Sequence, residues 1–308
     1  MNQLISVLQI ITPIFTAVVL GIYARRKAVL SPEHMQGLQQ FVMKFALPCV
    51  LFNSCYSADL GAESVTSMVL VLPLLLLSCA GSFQVMKRLA CHNLPMLFSA
   101  QESGMLGIPL FITLFGLEHA YRLGVMDVAQ SFVAIPVIAI LASDAGRSPS
   151  PGEILKKVFR SPLLLMSLFG LALNLSGLTN WLNQVGLGSV ITETTSFISQ
   201  PVSAAMLFSV GYNFSISPGN RSIILRVAGA HFALFSLFCM IMQGILFLTP
   251  AVDPETRWAV FLYCMLPSSY LSPSLGRSEE DHALASGVCS ILTVVCLLIF
   301  CAMTVLVS

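Results

Sequence analysis

Two short segments combine ionisable or hydroxyl side chains with residues that interrupt helices. One reads E-S-G-M-L-G-I-P from Glu102 to Pro109, and the other reads L-P-S-S-Y-L-S-P from Leu266 to Pro273. Proline removes an amide donor and glycine loosens the backbone, so a helix is expected to break in each segment. The free N–H groups that open a half-helix carry partial positive charge and suit a carboxylate. The candidate binding residues in these segments are Glu102, Ser103, Gly104, Gly107, Pro109, Pro267, Ser268, Ser269, Tyr270 and Pro273.

The composition indicates that a lipid bilayer surrounds these segments. Of 308 residues, 56% are hydrophobic and only 9% are charged, against about 25% charged in a typical soluble domain. The net charge of +1 gives no electrostatic reason to expect a nucleic-acid partner. The nine cysteines contain no C-x-x-C pair, so they are expected to pack as small apolar residues. No metal and no cofactor are expected.

Ten apolar stretches approach the roughly 20 residues that a membrane-spanning helix needs. We therefore predict an all-α polytopic membrane protein of ten transmembrane helices. The first stretch is followed by Arg25, Arg26 and Lys27 and has no basic segment before it, which favours a span over a cleaved signal peptide. The predicted spans are 4–24, 36–57, 65–86, 95–117, 122–143, 161–177, 190–214, 223–249, 257–276 and 283–307.

The basic residues indicate how these helices are oriented. On one side of the membrane, the connections hold Arg25, Arg26, Lys27, Lys87, Arg88, Arg147, Lys156, Lys157, Arg160, Arg221, Arg226 and Arg277. The connections on the other side hold only Arg122 and Arg257, and Lys44 lies within a span. Because cytoplasmic connections are enriched in Lys and Arg, both termini are predicted on the non-cytoplasmic side.

The chain divides at its one sizeable connection. Residues 144–160 are predicted to form a cytoplasmic linker between a first five-helix repeat, 1–143, and a second, 161–308. An odd number of helices in each repeat places the two repeats in opposite orientations, as in many transporters.

Prolines lie in the middle of four spans, at equivalent places in the two repeats. Pro109 follows Pro48 by 61 residues, and Pro267 follows Pro201 by 66. Each is predicted to break or kink its helix. We expect the fourth and ninth helices to be broken and to cross, because free backbone groups at membrane depth are tolerated only beside protein or a polar cavity. The alternative is that the prolines only kink their helices.

Three other ionisable residues join Glu102 as candidates for binding a coupling ion. Lys44 is either a counter-charge for a carboxylate or a side chain that extends to the interface. Asp127 shares a helical face with Gln130 and Ser131 and either faces the bundle or lies at the membrane surface. His231 is either a proton relay or a side chain bonded to a neighbouring helix.

Longer motifs carry a resemblance to a known family. G-I-Y-A-R-R-K (Gly21 to Lys27) precedes F-V-M-K-F-A-L-P-C-V-L-F (Phe41 to Phe52), and G-I-P-L-F-I-T-L-F-G begins at Gly107. M-L-P (Met265 to Pro267) is followed by A-L-A-S-G-V, which begins at Ala283. Together they resemble the auxin efflux carrier family, which includes the plant PIN-FORMED carriers and bacterial organic-acid permeases.

The resemblance implies the bile-acid/sodium symporter-like fold, in which the fourth and ninth helices cross at the substrate site. It also implies an elevator motion of a core of helices 3–5 and 8–10 against a scaffold of helices 1, 2, 6 and 7, commonly in a homodimer. The long cytoplasmic loop of many plant members is absent, so the chain resembles the compact bacterial form and is expected in the plasma membrane.

Several residues match the family's motifs at single positions. Lys44 stands where plant members often have lysine, and Gln130 and Ser131 match a Gln-Ser pair. Pro109 and Pro267 match the crossover prolines. Glu102 is a departure, because many relatives have asparagine at this position. An ionisable side chain beside the site could carry a coupling proton.

These features predict a secondary active transporter of small organic anions, namely mono- or dicarboxylates, that is coupled to protons. A sodium-coupled symporter of the same fold, and a channel or sensor that keeps the fold, are the alternatives. An enzyme is not expected, because the sequence lacks H-E-x-x-H, a G-x-S-G motif with a partnered histidine, and G-x-G-D.

Overall fold

The structure is a computed structural model. The predicted linker 144–160 and the predicted third span 65–86 lie largely outside the residues that it describes. It describes residues 2–58, 69, 71–74, 76–77, 80–81, 96–142, 150, 152–153, 156, 160–214, 221–249, 252–273 and 278–307.

Helices account for nearly all of this part of the chain. Two π-helical turns, Val42–Ala46 and Ser103–Gly107, and a 3-10 turn, Leu117–His119, interrupt or join the α-helices. The α-helices are α1 (Asn2–Arg26), α2 (Pro32–Phe41), α3 (Leu47–Ser57), α4 (Met96–Ser99), α5 (Ile108–Phe115), α6 (Tyr121–Ala142), α7 (Pro162–Leu175), α8 (Leu178–Gln184), α9 (Leu187–Ser199), α10 (Val202–Asn213), α11 (Arg221–Phe247), α12 (Pro254–Met265) and α13 (Glu279–Val307).

The all-α class predicted from sequence is confirmed for the residues that the structure describes. These residues form no β-strand, and their sole β-type pairing is an antiparallel bridge between Gln101 and Ser268. Within them, three helices are long and apolar enough to cross a membrane: Val7–Arg26, Arg221–Phe247 and Glu279–Val307. The pair α7 and α8, bent by 77°, would make a fourth span. The fold is that of a helical, multi-pass membrane protein, and the number of ten helices in two inverted repeats stays a prediction.

The same local signal starts two of the helices. Ser31 and Asp253 each precede a proline and a glutamate, in S-P-E and D-P-E. The side chain of each accepts the N–H three residues on, His34 for Ser31 at 3.3 Å and Thr256 for Asp253 at 2.7 Å. A capping oxygen followed by proline at the first helical position is a favourable start for a helix.

Glycines allow α1 and α10 to pack with their backbones nearly in contact. A Cβ atom on Gly21 would lie 2.0 Å from the carbonyl oxygen of Phe208 in α10. A Cβ atom on Gly211 would lie 1.9 Å from the carbonyl oxygen of Val18 in α1. Small residues at such crossings are the usual basis of tight helix association in membranes.

Two of the four predicted proline breaks need correction. Pro48 and Pro109 do not end a helix, since each lies at the second residue of an α-helix that continues a π-helical turn. The residue before each proline donates its N–H five residues back, Leu47 to Val42 and Ile108 to Ser103. The wider π turn absorbs the missing donor and makes room for the ring, so the chain stays helical there.

The other two prolines stand where helices meet or end. Pro201 is the N-cap of α10, directly after α9 ends at Ser199. Pro267 follows α12 and lies in a non-helical segment.

Candidate functional site

Two non-helical segments from distant parts of the chain pair with each other. Residues 100–102 separate α4 from the π turn that leads into α5, and residues 266–269 follow α12. The Glu102 N–H donates to the Pro267 carbonyl at 2.9 Å, and the Ser269 N–H donates to the Ala100 carbonyl at 3.0 Å. The two hydrogen bonds flank the Gln101–Ser268 bridge. Backbone groups freed by one helix interruption are thus satisfied by the other, as membrane burial requires.

Gln130 of α6 satisfies the backbone groups of Gln101 that point away from the bridge. Its Oε1 accepts the Gln101 N–H at 2.8 Å and the Tyr263 hydroxyl at 2.8 Å. Its Nε2 donates to the Gln101 carbonyl at 3.0 Å, to Ser103 Oγ at 2.7 Å and to Asp127 Oδ1 at 2.9 Å. The side chain of Gln130 therefore pairs with Gln101 as a neighbouring strand would, and it ties the two paired segments to α6 and α12.

The carbonyl ends of the interrupted helices also have side-chain partners. His231 of α11 is buried, with its Nδ1 2.8 Å from the Leu97 carbonyl and Leu266 facing its ring. The side-chain amide of Gln101 faces two carbonyl oxygens, so its nitrogen rather than its oxygen is assigned to that side. This nitrogen donates to the carbonyls of Pro267 at 3.1 Å and Leu266 at 3.2 Å. His231 packs between the rings of Phe98 and Phe235.

The Glu102 carboxylate accepts a backbone N–H from the chain just after each non-helical segment. Its Oε1 accepts the Met105 N–H at 3.2 Å, which caps the start of the helical stretch that follows. Its Oε2 accepts the Tyr270 N–H at 2.6 Å, and the Ser269 hydroxyl also faces it. Glu102 is buried, so these donors compensate much of the cost of removing its charge from water.

A second carboxylate lies close by. Asp127 of α6 accepts hydrogen bonds from the Ser103 hydroxyl and from Gln130 Nε2. Among the described residues, no ion pair joins Asp127 or Glu102 to a basic side chain. The site thus gathers two acidic groups that are held by neutral donors.

A cavity of about 460 Å³ opens beside the two paired segments. One wall is formed by the two non-helical segments and α6, and the other by α2, the π turn after it and the end of α10. Lys44 lies on this second wall, exposed to the cavity. Of the residues predicted from sequence, the lining includes Lys44, Glu102, Gly104, Asp127, Gln130, Ser131, Ser269 and Tyr270.

The remaining predicted residues are close but outside the lining that the structure describes. Ser103 and Ser268 are fully buried behind it, in hydrogen bonds with Asp127 and Ser272. Gly107 packs tightly, since a Cβ there would lie 2.7 Å from Leu266 and 2.8 Å from Leu123. Those not in the lining are Ser103, Gly107, Pro109, Pro267, Ser268, Pro273 and His231.

Three glutamines on the second wall were missed from the sequence. Gln36, Gln39 and Gln40 of α2 line the cavity with Asn213 of α10. The signal was available, because amides at positions i, i+3 and i+4 share one face of a helix. The buried amide nitrogen of Gln39 has no hydrogen-bond partner among the described residues. The cavity is therefore lined by amide side chains as well as by the two carboxylates.

An all-helical, multi-pass protein with paired interruptions beside a polar cavity has the architecture of a membrane transporter. Comparison with known proteins agrees. A family model described as membrane transport protein matches residues 6–304. The chain belongs to this family, that of the auxin efflux carriers, and the family resemblance seen in the motifs is confirmed.

A curated relative comes from Methanothermobacter thermautotrophicus strain Delta H. It is described as an uncharacterized transporter and is 24% identical over 282 residues, which cover 84% of this chain and 92% of the relative. This similarity runs along nearly the full length of both proteins.

Proposed function

We propose that the protein is a secondary active transporter of small organic anions, of the mono- or dicarboxylate class, driven by protons. The single observation that carries the proposal is the cavity beside the paired interruptions, whose lining brings Lys44 and the glutamines of α2 together with Glu102 and Asp127. Lys44 and the glutamine donors suit a carboxylate ligand.

The charges in the cavity support coupling to a cation. The lining carries Glu102 and Asp127 against Lys44 alone among its basic side chains. An anion that enters while both carboxylates are ionised meets net repulsion in a weakly screened space. Binding of one proton removes a negative charge, so substrate and proton favour each other's binding, which is the basis of symport.

The packing of the helices supports an elevator mechanism. α1 packs on α10 through the glycine contacts, and α3 packs on α7 and α9. These helices belong to the predicted spans 1, 2, 6 and 7. The crossing is bonded instead to α6, α11, α12 and α13, through Gln130, His231, Tyr263 and Thr293. The cavity lies between the two groups, where a moving core would carry substrate past a fixed scaffold.

The test is uptake by proteoliposomes. Radiolabelled acetate, lactate, benzoate, malate and succinate are offered under an imposed inward proton gradient, with protein-free liposomes as the baseline. Accumulation above equilibrium that collapses with a protonophore supports the proposal. If no member of the panel accumulates under a proton or a sodium gradient, the proposed function is wrong.

Sodium coupling is the second candidate, since the same carboxylates could be neutralised by Na⁺. A sodium gradient at equal pH on both sides would then drive uptake, and a proton gradient would not. Electrical recording separates both from a channel, which would pass far more ions per second than a carrier can cycle.

A further inference from the structure

The position expected for a substrate carboxylate is filled by the protein's own carboxylate. Two backbone N–H groups that bind a carboxylate belong to residues that line the cavity, Met105 in the helical stretch 103–115 and Tyr270. Glu102 uses one carboxylate oxygen on each, at 3.2 and 2.6 Å. Two N–H donors from separate segments, one to each oxygen, is the arrangement that recognises a carboxylate of a ligand.

Glu102 also lies where an entering ligand would be. Its side chain lines the cavity together with Gly104, Met105, Ser269 and Tyr270. The carboxylate is attached through a flexible side chain, while both donors are backbone groups fixed by the crossing. A ligand of the same chemistry could take the donors only if the Glu102 carboxylate left them.

We propose that Glu102 is an internal, displaceable occupant of the carboxylate-binding position, which a substrate carboxylate takes over during binding. This inference rests on the proposed function and specifies how its site is loaded. It makes Glu102 a competitor of the substrate, in addition to a proton carrier.

Displacement has a defined proton balance. Once the two N–H groups are bonded to the substrate, the Glu102 carboxylate has lost its main donors. It then lies beside the substrate carboxylate and Asp127 of α6, with Lys44 of the opposite wall as the basic group of the lining. The Tyr270 hydroxyl is bonded to Thr293 of α13 at 2.7 Å. One proton from the side of entry binds to Glu102, and the substrate remains ionised. The net charge of the loaded and empty sites is the same, so a monocarboxylate crosses with one proton in an electroneutral cycle.

The test uses acetate as a probe, on the full-length protein in detergent. Glu102→Ala removes the internal carboxylate and leaves both N–H groups free. We expect 100 mM sodium acetate to raise the thermal midpoint of Glu102→Ala by several degrees beyond sodium chloride at the same concentration. The thermal midpoint of wild type should rise much less, because Glu102 already occupies the two N–H groups and acetate stabilises the folded protein only by binding to it. Glu102→Gln, an uncharged mimic of the protonated side chain that still fills the space, is the matched control and should respond more than wild type but less than Glu102→Ala.

Glu102→Asn, shorter by one methylene, takes the place of Glu102→Ala if the latter does not fold. An acetate response equal in wild type and the shortened variants overturns the inference, as does a response of Glu102→Gln equal to that of Glu102→Ala. Selective acetate binding without any carboxylate flux in proteoliposomes would instead contradict the proposed function and leave the internal occupant in place.

Discussion

The side-chain amide of Gln130 pairs with both backbone groups of Gln101, as a neighbouring strand would. Gln130 Oε1 accepts the Gln101 N–H at 2.8 Å, and Gln130 Nε2 donates to the Gln101 carbonyl at 3.0 Å. On its other side, Gln101 faces Ser268 in the antiparallel bridge. One amide thereby replaces the intrahelical hydrogen bonds that the chain gives up in order to open a site.

Replacing Gln130 with alanine should destabilise the protein strongly. The buried N–H and carbonyl of Gln101 would lose their partners, at a cost of about 1–3 kcal/mol for each unsatisfied group. We expect the free energy of unfolding to fall by roughly 2–4 kcal/mol, measured by thermal or denaturant unfolding in detergent. Ser131→Ala is the control, since among the described residues the Ser131 hydroxyl bonds to the Asp127 carbonyl of its own helix and not to the paired segments. Equal losses in the two variants would contradict the role of Gln130.

Alanine at Gly21 or Gly211 should separate α1 from α10. The added Cβ would lie 2.0 or 1.9 Å from a backbone oxygen of the partner helix, which no rotamer change can relieve. We expect a loss of stability of roughly 1–3 kcal/mol or more. Gly244→Ala in α11 is the matched control, because nothing lies within 4 Å of its added Cβ. That substitution should be neutral or stabilising by about 0.5–1 kcal/mol. If Gly21→Ala or Gly211→Ala had the same thermal midpoint as Gly244→Ala, the close backbone approach of α1 and α10 would be ruled out.

The Arg122–Asp253 ion pair should give stability that is lost in acid. Asp253 lies in the connection between the predicted spans 223–249 and 257–276. Partial burial raises its pKa, but hydrogen bonds from Thr256 and the charge and hydrogen bond of Arg122 outweigh that effect and hold the pKa below its ordinary value. A lowered pKa in the folded state means that the unfolded chain binds the proton more readily. The stabilisation is therefore complete above about pH 4, the unfolded pKa, and is lost as pH falls through the folded pKa.

Thermal midpoints of wild type and Asp253→Asn between pH 7 and pH 3 test this prediction. The difference between the two should be constant from pH 7 to about pH 5 and should shrink below about pH 4. Glu255→Gln, in the first turn of the helix that Asp253 caps, is the control for the loss of a negative charge. A difference that grows on acidification would have the wrong sign.

Neutralising Lys44 should weaken substrate binding more than it slows turnover. Lys44 lies on the cavity wall without an ion pair among the described residues, so its charge is available to a carboxylate. For Lys44→Gln we expect KM to rise about threefold to tenfold with a smaller change in kcat. Lys44→Arg should retain most of the affinity. Lys27→Gln, in the turn after α1, removes a positive charge that does not line the cavity and should leave KM unchanged. An unaltered KM in Lys44→Gln would exclude a substrate contact.

Proton coupling should survive replacement of His231. The ring is bonded to the Leu97 carbonyl, between two phenylalanines, and does not line the cavity. We expect His231→Gln to lower stability but to keep the ratio of protons to substrate, measured by pH-dye and tracer fluxes in parallel. Substrate flux without proton flux in His231→Gln would show that His231 takes part in proton coupling.

The sequence predicted which two stretches of the chain contain a helix interruption, but it placed only one of the two interruptions at the correct residues. Pro267, Ser268 and Ser269 coincide with the non-helical segment after α12, because proline lacks an amide donor and serine hydroxyls compete with helical hydrogen bonds. Around Pro109 the interruption lies at residues 100–102 instead. A π turn before the proline is a matter of local hydrogen-bond geometry, and residue types alone do not specify it.

The chemistry of the site was only partly accessible from sequence. Glu102, Gln130 and Lys44 are unusual residues for a membrane span, so their types alone drew attention to them. That Gln130 would pair with a peptide, or that Glu102 would bond to Tyr270, depends on contacts between distant segments. The glutamines of α2 were missed because they open a predicted span, where polar residues are ordinary.

The link from Glu102 to Tyr270 joins residues that are 168 positions apart. During synthesis, the stretch around residues 100–102 therefore reaches the bilayer long before its partner has left the ribosome. Gln130 is synthesised much sooner and can bond to the Gln101 backbone. The N–H of Glu102, in contrast, meets its partner in the folded protein, the Pro267 carbonyl, only after α12 has been synthesised. The nascent protein must therefore keep this unsatisfied backbone N–H away from lipid until the last third of the chain is made.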